Sequence, residues 1–243
     1  MKENIIEIFS SAQGEGPYVG TRQVFVRFEG CNLGCRYCDT EHKPGTHPCC
    51  RLETSAGSGR FRTVTNPLSA AEVARAVNDY LEVLPHQAVS FTGGEPLLHT
   101  GFLLELAQQL PVPVFLETNG TLPRELATIL SAVQIISMDM KLPSVTGKVL
   151  WDEHRAFLDI AREKDVYVKI VVTSDTPPEE LLTAARLIRD TAPETPLILQ
   201  PVTPANGCLP PRPQEMLRRQ QECLSLLFDV RIIPQTHVMI GQL

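Results

Sequence analysis

The sequence has no surplus of positive charge: 22 Lys and Arg stand against 28 Asp and Glu, a formal net charge of −6 with a pI near 5.6. A protein whose first task is to hold a phosphate backbone clusters Lys and Arg, so nucleic acid is not the expected partner. Nor is there an apolar run near the roughly 20 residues that span a bilayer, and Met1-Lys2-Glu3-Asn4 leads into no apolar signal core. No membrane association is expected, and a cytoplasmic location is. An even set of cysteines is also missing. Seven in 243 residues argue against a secreted disulfide framework and for metal or redox chemistry. With 43% hydrophobic and 21% charged residues, the chain reads as an ordinary globular protein, with 1–243 as a single domain.

Two early strands, Ile5–Phe9 and Thr21–Phe28, flank a Gly-rich loop. A Cys-rich segment follows, then an insertion at about 41–67 rich in Gly, Ser, Thr and Pro. Ser69 with Glu72 three residues on forms a capping box ahead of an amphipathic helix. From there short apolar strands alternate with helices. The strands are Ala88–Phe91, Val114–Glu117, Gln134–Met138, Val166–Val172, Leu197–Gln200 and Val230–Ile233. The helices lie near Leu97–Leu110, Pro123–Ala132, Trp151–Lys164, Pro178–Asp190 and Pro213–Leu227. The rhythm predicts βα units and a parallel sheet. The units are too few to close an eight-stranded barrel, so the fold expected is α/β, a partial, open (β/α)6-like TIM barrel. Its chemistry should sit at the C-terminal ends of the strands.

Cys31-Asn32-Leu33-Gly34-Cys35-Arg36-Tyr37-Cys38 puts three thiols in a loop just after a strand. Structural zinc takes four protein ligands, and no CxxC or HxxxH pair offers a clean fourth. Cys49 and Cys50 lie in the insertion; Cys208 and Cys223 lie far downstream, as core filler or surface thiols. A [4Fe–4S] cube on three thiolates leaves one iron open to an external ligand.

The triplet, with Tyr37 before its last Cys, resembles the signature of the radical S-adenosylmethionine (SAM) superfamily. In that superfamily the open iron chelates SAM, and one electron cleaves the sulfonium to a 5′-deoxyadenosyl radical. Thr92-Gly93-Gly94-Glu95-Pro96, directly after an apolar strand, resembles the superfamily's SAM-binding segment. The resemblance puts Gly93, Gly94 and Glu95 at the cofactor. Polar strand ends complete the expected mouth: Glu117-Thr118-Asn119-Gly120, Ser137 with Asp139 and Lys141, Lys169, and Gln200. Tyr37, Asp39, Ser137, Asp139, Lys141 and Gln200 are taken as cofactor-binding.

The string Ile6 to Gly16, with Gln13-Gly14-Glu15-Gly16, then Phe25-Val26-Arg27 and Cys38-Asp39-Thr40, is similar to the 7-carboxy-7-deazaguanine synthase family. The likeness includes the tail Pro234-Gln235-Thr236-His237 and leaves out 41–67. It implies 6-carboxy-5,6,7,8-tetrahydropterin as substrate, a radical ring contraction that releases ammonia, and a need for Mg2+. It also implies a reductant such as flavodoxin or ferredoxin, and a homodimer. The substrate is then expected on Ala12, Gln13, Gly14, Glu15, Arg27 and Thr92. Glu15 would accept from the pterin's amine and ring N–H, and Arg27 would fork onto its carboxylate. The bland alternatives are Glu15 capping a turn and Arg27 pairing with Asp39. Mg2+ is expected on Thr40, since this hard ion keeps several waters and needs few protein oxygens.

Three features depart from the pattern: the insertion with its Cys49-Cys50 pair, the apolar extension 238–243, and the Ser137-Met138-Asp139-Met140-Lys141 stretch. The last resembles the DxK segment of glycyl-radical activating enzymes, the main alternative, which would not need the Gln13–Gly16 loop. A non-catalytic iron–sulfur protein is the second, and it explains neither the Gly-Gly-Glu-Pro turn nor an open iron.

Overall fold

The computed structural model describes residues 1–38, 40 and 45–242. In chain order the elements are β1 (Lys2–Glu3), β2 (Ile5–Ala12), β3 (Arg22–Phe28), β4 (Cys49–Glu53), β5 (Phe61–Thr65), β6 (Leu68–Ser69), α1 (Ala70–Val83), β7 (Ala88–Gly93), α2 (Thr100–Ala107) and β8 (Val114–Thr118). They continue with α3 (Pro123–Ile129), β9 (Ile135–Asp139), α4 (Pro143–Thr146), α5 (Trp151–Ala161), β10 (Asp165–Val172), α6 (Pro178–Thr191), β11 (Leu197–Pro201), α7 (Pro213–Leu224), β12 (Val230–Ile232) and α8 (Thr236–Met239).

Among the described residues, β12-β11-β10-β9-β8-β7-β3-β2-β4-β5 form one sheet. From β3 to β12 neighbouring strands are parallel, which gives the open, partial (β/α) barrel that the alternation predicts. β2 runs antiparallel to β3 and sits beyond it. The insertion adds the hairpin β4–β5 to the sheet, with β4 parallel to β2. The Gly-rich stretch 57–59 is its turn, held by the buried Glu53 carboxylate, which accepts from Gly57 N at 3.0 Å and Gly59 N at 2.7 Å. The capping box forms as read: Glu72 N donates to Ser69 Oγ and Ser69 N to Glu72. No helix among the described residues is long and apolar enough to cross a membrane.

The two-residue period of the strands sorts the interior of the barrel. Even-numbered Val166, Val168, Ile170 and Val172 of β10 join the main core beneath the helices. Tyr167 faces the other way and packs with Phe115, Ile135, Ala88 and Ile198 as a plug in the barrel. Tyr18 closes that plug edge-on to Phe115, 5.5 Å between ring centres. The same parity carries Glu117 of β8, Asp139 of β9 and Lys169 of β10 to the cavity above it. An aromatic floor with charged side chains one layer higher is what the strand period builds here.

Candidate active site

The cavity holds about 360 Å³ and opens at the C-terminal ends of the parallel strands. Cys31, Cys35, Cys38 and Thr40 line one wall; Glu15, Asp139, Lys141, Lys169 and Gln200 line the other.

The cluster wall is fixed by backbone contacts. Gly93 adopts φ +125°, and a β-carbon there would lie 2.3 Å from the Phe28 carbonyl; one on Gly94 would lie 1.9 Å from the Gly30 carbonyl. Gly94 N donates to Phe28 O at 3.1 Å and Glu95 N to Gly30 O at 2.7 Å. The glycines line the cavity as expected, but the space they leave is filled by the backbone that leads into Cys31. Glu95 lies behind this wall, fully buried and off the cavity. Its carboxyl receives Thr118 Oγ1 at 2.8 Å, Asn119 N at 2.8 Å and Leu97 N at 3.1 Å. Burial pushes it up to about 7, against the pull of those hydrogen bonds. At the far end of the loop Asn206 Nδ2 donates to Cys38 O at 2.7 Å, and Arg36 N to Val145 O at 3.0 Å.

The thiols meet the chemistry of an iron–sulfur cube. Burial raises Cys31, and raises Cys35 to about 11, while Lys141 nearby favours both thiolates. Among the described residues no three His, Cys, Asp or Glu side chains are drawn together as ligands of one metal ion. A cube asks for something else, since each thiolate takes a different iron and the sulfurs stand apart. The other four cysteines are free thiols away from this wall; Cys50 and Cys223 are buried in the main core and Cys208 packs with Val171 and Val202.

The opposite wall is a network of charges. Lys169 pairs with Glu15 and, at 2.9 Å, with Asp139, which also meets Lys141 at 2.8 Å. Lys141 Nζ lies over the Tyr37 ring, 5.2 Å from its centre, and 3.3 Å from its hydroxyl. Glu15 Oε1 accepts from Gln200 at 3.3 Å and Gln235 at 2.7 Å. Burial alone would raise Glu15; the Lys169 charge and these donors outweigh it and hold the carboxyl down to about 2. Asp139 is also held low, by Lys141 and Lys169 against burial. Asp139 Oδ1 and Gln200 Oε1 are buried acceptors with no protein donor among the described residues. Both belong to cavity-lining side chains, which fits a ligand that brings hydroxyl or amino donors, as SAM does.

Between the walls Glu117 accepts from Gln13 Nε2 at 2.8 Å and Thr92 Oγ1 at 2.6 Å. Gln13 also receives Glu15 N at 3.0 Å and donates to Gln23 at 3.1 Å, so its amide holds the loop in shape. Ala12 and Gly14 line the same edge. Arg27 lines the cavity too and pairs with Glu7 at 2.8 Å; Asp39, the other partner considered for it, lies outside the described residues. Glu7 shares itself with Arg51 of the insertion at 3.2 Å. Ser137, expected at the cofactor, is buried on Tyr167, one layer below the cavity-lining Asp139.

Lys169, Glu117 and Asn119 appear in the sequence reading only as polar strand ends, and a lysine inside Val-Tyr-Val-Lys-Ile-Val-Val is the signal that could have marked the first. Gln235 and His237 line the cavity too; the family likeness takes in their segment, Pro234-Gln235-Thr236-His237, without giving either a role. Thr236 N donates to Gly14 O at 2.9 Å, and the His237 ring occupies the space a Gly14 side chain would need.

Residues 25–188 match the family model described as the Radical SAM superfamily. The chain is 45% identical to the 7-carboxy-7-deazaguanine synthase of Geobacter sulfurreducens, over 98% of this chain and 96% of that one. It is 37% identical to the synthase of Archaeoglobus fulgidus, over 99% of each. Among solved structures, QueE from Escherichia coli superimposes with a TM-score of 0.62 at 20% identity, covering 97% of this chain and 94% of that one, a likeness of fold.

Proposed function

The chain belongs to the 7-carboxy-7-deazaguanine synthase family of the radical SAM superfamily, and we infer that it converts 6-carboxy-5,6,7,8-tetrahydropterin to 7-carboxy-7-deazaguanine with release of ammonia. The observation that carries this reading is one cavity in which three thiols face a fixed, ionised carboxylate, Glu15.

Cys31, Cys35 and Cys38 hold a [4Fe–4S] cluster, which when bound supplies the electron that cleaves SAM to the 5′-deoxyadenosyl radical. Gly93, Gly94, Asp139, Lys141 and Gln200 would hold SAM, the unmatched acceptors of Asp139 and Gln200 suiting its hydroxyl and amino groups. Glu15 keeps its charge at any working pH, so it accepts from the amine and ring N–H of the pterin. Lys169 balances that charge so that it survives burial. Arg27 takes the substrate carboxylate; Glu7 steadies the guanidinium through Nε, a nitrogen that a carboxylate on the terminal pair does not use. Arg51 of the insertion supports Glu7 from behind, which gives 41–67 a structural part in a single domain. Thr40, beside Cys38 on the cavity, gives Mg2+ one oxygen, and substrate and water supply the rest. A flavodoxin or ferredoxin delivers the electron, and the working unit is a homodimer.

The test is anaerobic reconstitution followed by incubation with SAM, reductant and the carboxy-tetrahydropterin, with and without Mg2+, product being followed by mass. Mg2+-stimulated 7-carboxy-7-deazaguanine is expected. SAM cleavage with the pterin untouched would overturn the substrate assignment, and full Mg2+ stimulation in Thr40→Ala would overturn the metal site.

A further inference from the structure

Every polar group of Asn119 is committed. Its N–H donates to Glu95 at 2.8 Å, and its carbonyl lies 3.2 Å from Nε2 of the buried His154. Its side-chain oxygen receives Thr121 N at 3.1 Å and Thr121 Oγ1 at 2.6 Å. Those two donors fix which way the carboxamide is turned, so the Nδ2 end faces the cluster loop. One of its hydrogens goes to Asn32 Oδ1 at 2.8 Å, inside the Cys31–Cys38 loop; Nδ2 also lies 4.0 Å from Cys31 Sγ, the long limit for sulfur. A side chain held at three points on an anchored backbone, with one N–H left for a thiol, is preorganised toward that thiol.

We propose that Asn119 is a positioning residue for the cluster, donating an N–H···S hydrogen bond to Cys31 that makes one-electron reduction of the cluster easier. This rests on the reading that Cys31, Cys35 and Cys38 hold a [4Fe–4S] group. Reduction adds negative charge that spreads onto the thiolate sulfurs, and a donor at sulfur stabilises the reduced form more than the oxidised one. The electron comes from the low-potential reductant, and the hydrogen bond changes only how readily it is accepted. His154 and Glu95 act on the same device through the Asn119 backbone.

The test uses reconstituted wild-type protein, Asn119→Ala and Asn32→Ala without SAM, poised at one fixed potential and read by electron paramagnetic resonance beside iron and sulfide content. Asn119→Ala is expected to lower the reduced fraction several-fold, and to remove an exchangeable-deuteron coupling seen by pulsed methods in D2O. Asn32→Ala, which cuts the loop's ties to Asn119 Nδ2 and, at 2.9 Å, to Thr121 Oγ1 but leaves the Thr121 bonds to Asn119 Oδ1, should keep both near wild type. Equal losses in the two variants, or an unchanged reduced fraction in a fully loaded Asn119→Ala, would overturn the proposal. Failure of Asn119→Ala alone to keep iron supports the contact with Cys31, and failure of both variants argues for the loop tie and against it. Wild-type protein that takes up no iron removes the cluster reading itself, whereas loaded variants that behave as wild type remove only this inference.

Discussion

Glu15 and Glu95 are carboxylates sealed into the same mouth of the barrel, one on each wall, and their surroundings move them in opposite directions. Glu15 faces Lys169 and stays ionised down to about pH 2, while Glu95 meets only neutral donors at hydrogen-bonding distance and is pushed up to about 7. The difference separates two kinds of construction. The wall that carries the thiols is tied by backbone hydrogen bonds and uncharged side chains, and the thiols feel charge chiefly from across the cavity, Lys141 favouring the thiolates of Cys31 and Cys35 and Asp139 opposing that of Cys35. The opposite wall keeps paired charges ready, at the cost of burying them, and pairs of that kind suit a polar heterocycle with donors along one edge.

The largest effect tests the thiol wall outright. Replacing Cys31, Cys35 or Cys38 with Ala should abolish or damage the iron–sulfur absorbance and eliminate 5′-deoxyadenosine formation, whereas Cys49→Ser should leave both intact. Iron near eight per chain in the wild type would mean that other cysteines take part.

Next comes the charged wall. Lys169→Met leaves Glu15 and part of Asp139 buried without a cation, a change of about 3–5 kcal/mol by comparison with other broken buried pairs, measurable by denaturant unfolding at neutral pH. The sign with pH follows from the lowered carboxyl of Glu15. Its stabilisation is present above the unfolded value of 4.5 and is lost as pH falls toward about 2. Lys169→Met should shrink that acid loss, because the Lys169 charge is the largest influence holding Glu15 down and only weaker ones such as the Gln235 hydrogen bond remain.

A smaller effect compares two glycines close to the thiols. A β-carbon on Gly94 would sit 1.9 Å from Gly30 O and 3.2 Å from Cys31 Cβ, while one on Gly34 meets nothing within 4 Å. Gly94→Ala is therefore expected to cost ~1–3 kcal/mol and to speed iron release, since the turn presses on the cluster loop as well as on the SAM site. Gly34→Ala should fall within about 0.5 kcal/mol of wild type. Equal iron retention in the two would show that the turn does not brace the loop.

The legible part of this protein was whatever lies in local order along the chain. The βα rhythm, the capping box at Ser69, the thiol triplet and the Gly-Gly turn each need only a few neighbouring residues, and all of them take the expected form as structure. Assigning each polar strand end a direction was harder. Ser137 and Asp139 are two residues apart on one face of β9, yet the first belongs to the layer of Tyr167 and the second to the cavity. That depends on register with β8 and β10, which no single strand encodes. Contacts across long separations were out of reach altogether: Gln235 reaches Glu15, and Arg51 of a composition-poor insertion reaches Glu7. Glu95 carries a family motif, and the motif marks its place in the turn without saying that the carboxylate turns inward to Thr118 and Asn119.

The smallest expected effect isolates that inward carboxylate. In the fold Glu95 keeps its proton up to about pH 7, while an unfolded Glu gives it up near 4.5. Between those values only the unfolded state loses protons, so the contribution of Glu95 falls as pH rises through the window and is level above 7. This is the reverse of Glu15, whose contribution falls toward acid. Glu95→Gln has no proton to lose and should make the slope between pH 4.5 and 7 more positive, leaving the rise that the lowered His154 and His86 contribute there. Its amide still accepts from Thr118 and Leu97 at one end but sets an N–H against Asn119 N at the other, a loss of about 1 kcal/mol at neutral pH. Glu15→Gln should leave the 4.5–7 slope unchanged and remove only the Glu15 share of the acid loss below it, since Glu29 is held equally low. Unfolding curves for both variants across pH 3–8 decide the matter: if Glu95→Gln keeps the wild-type slope from 4.5 to 7, Glu95 is ionised in the fold, and the two walls do not differ in charge as their surroundings indicate.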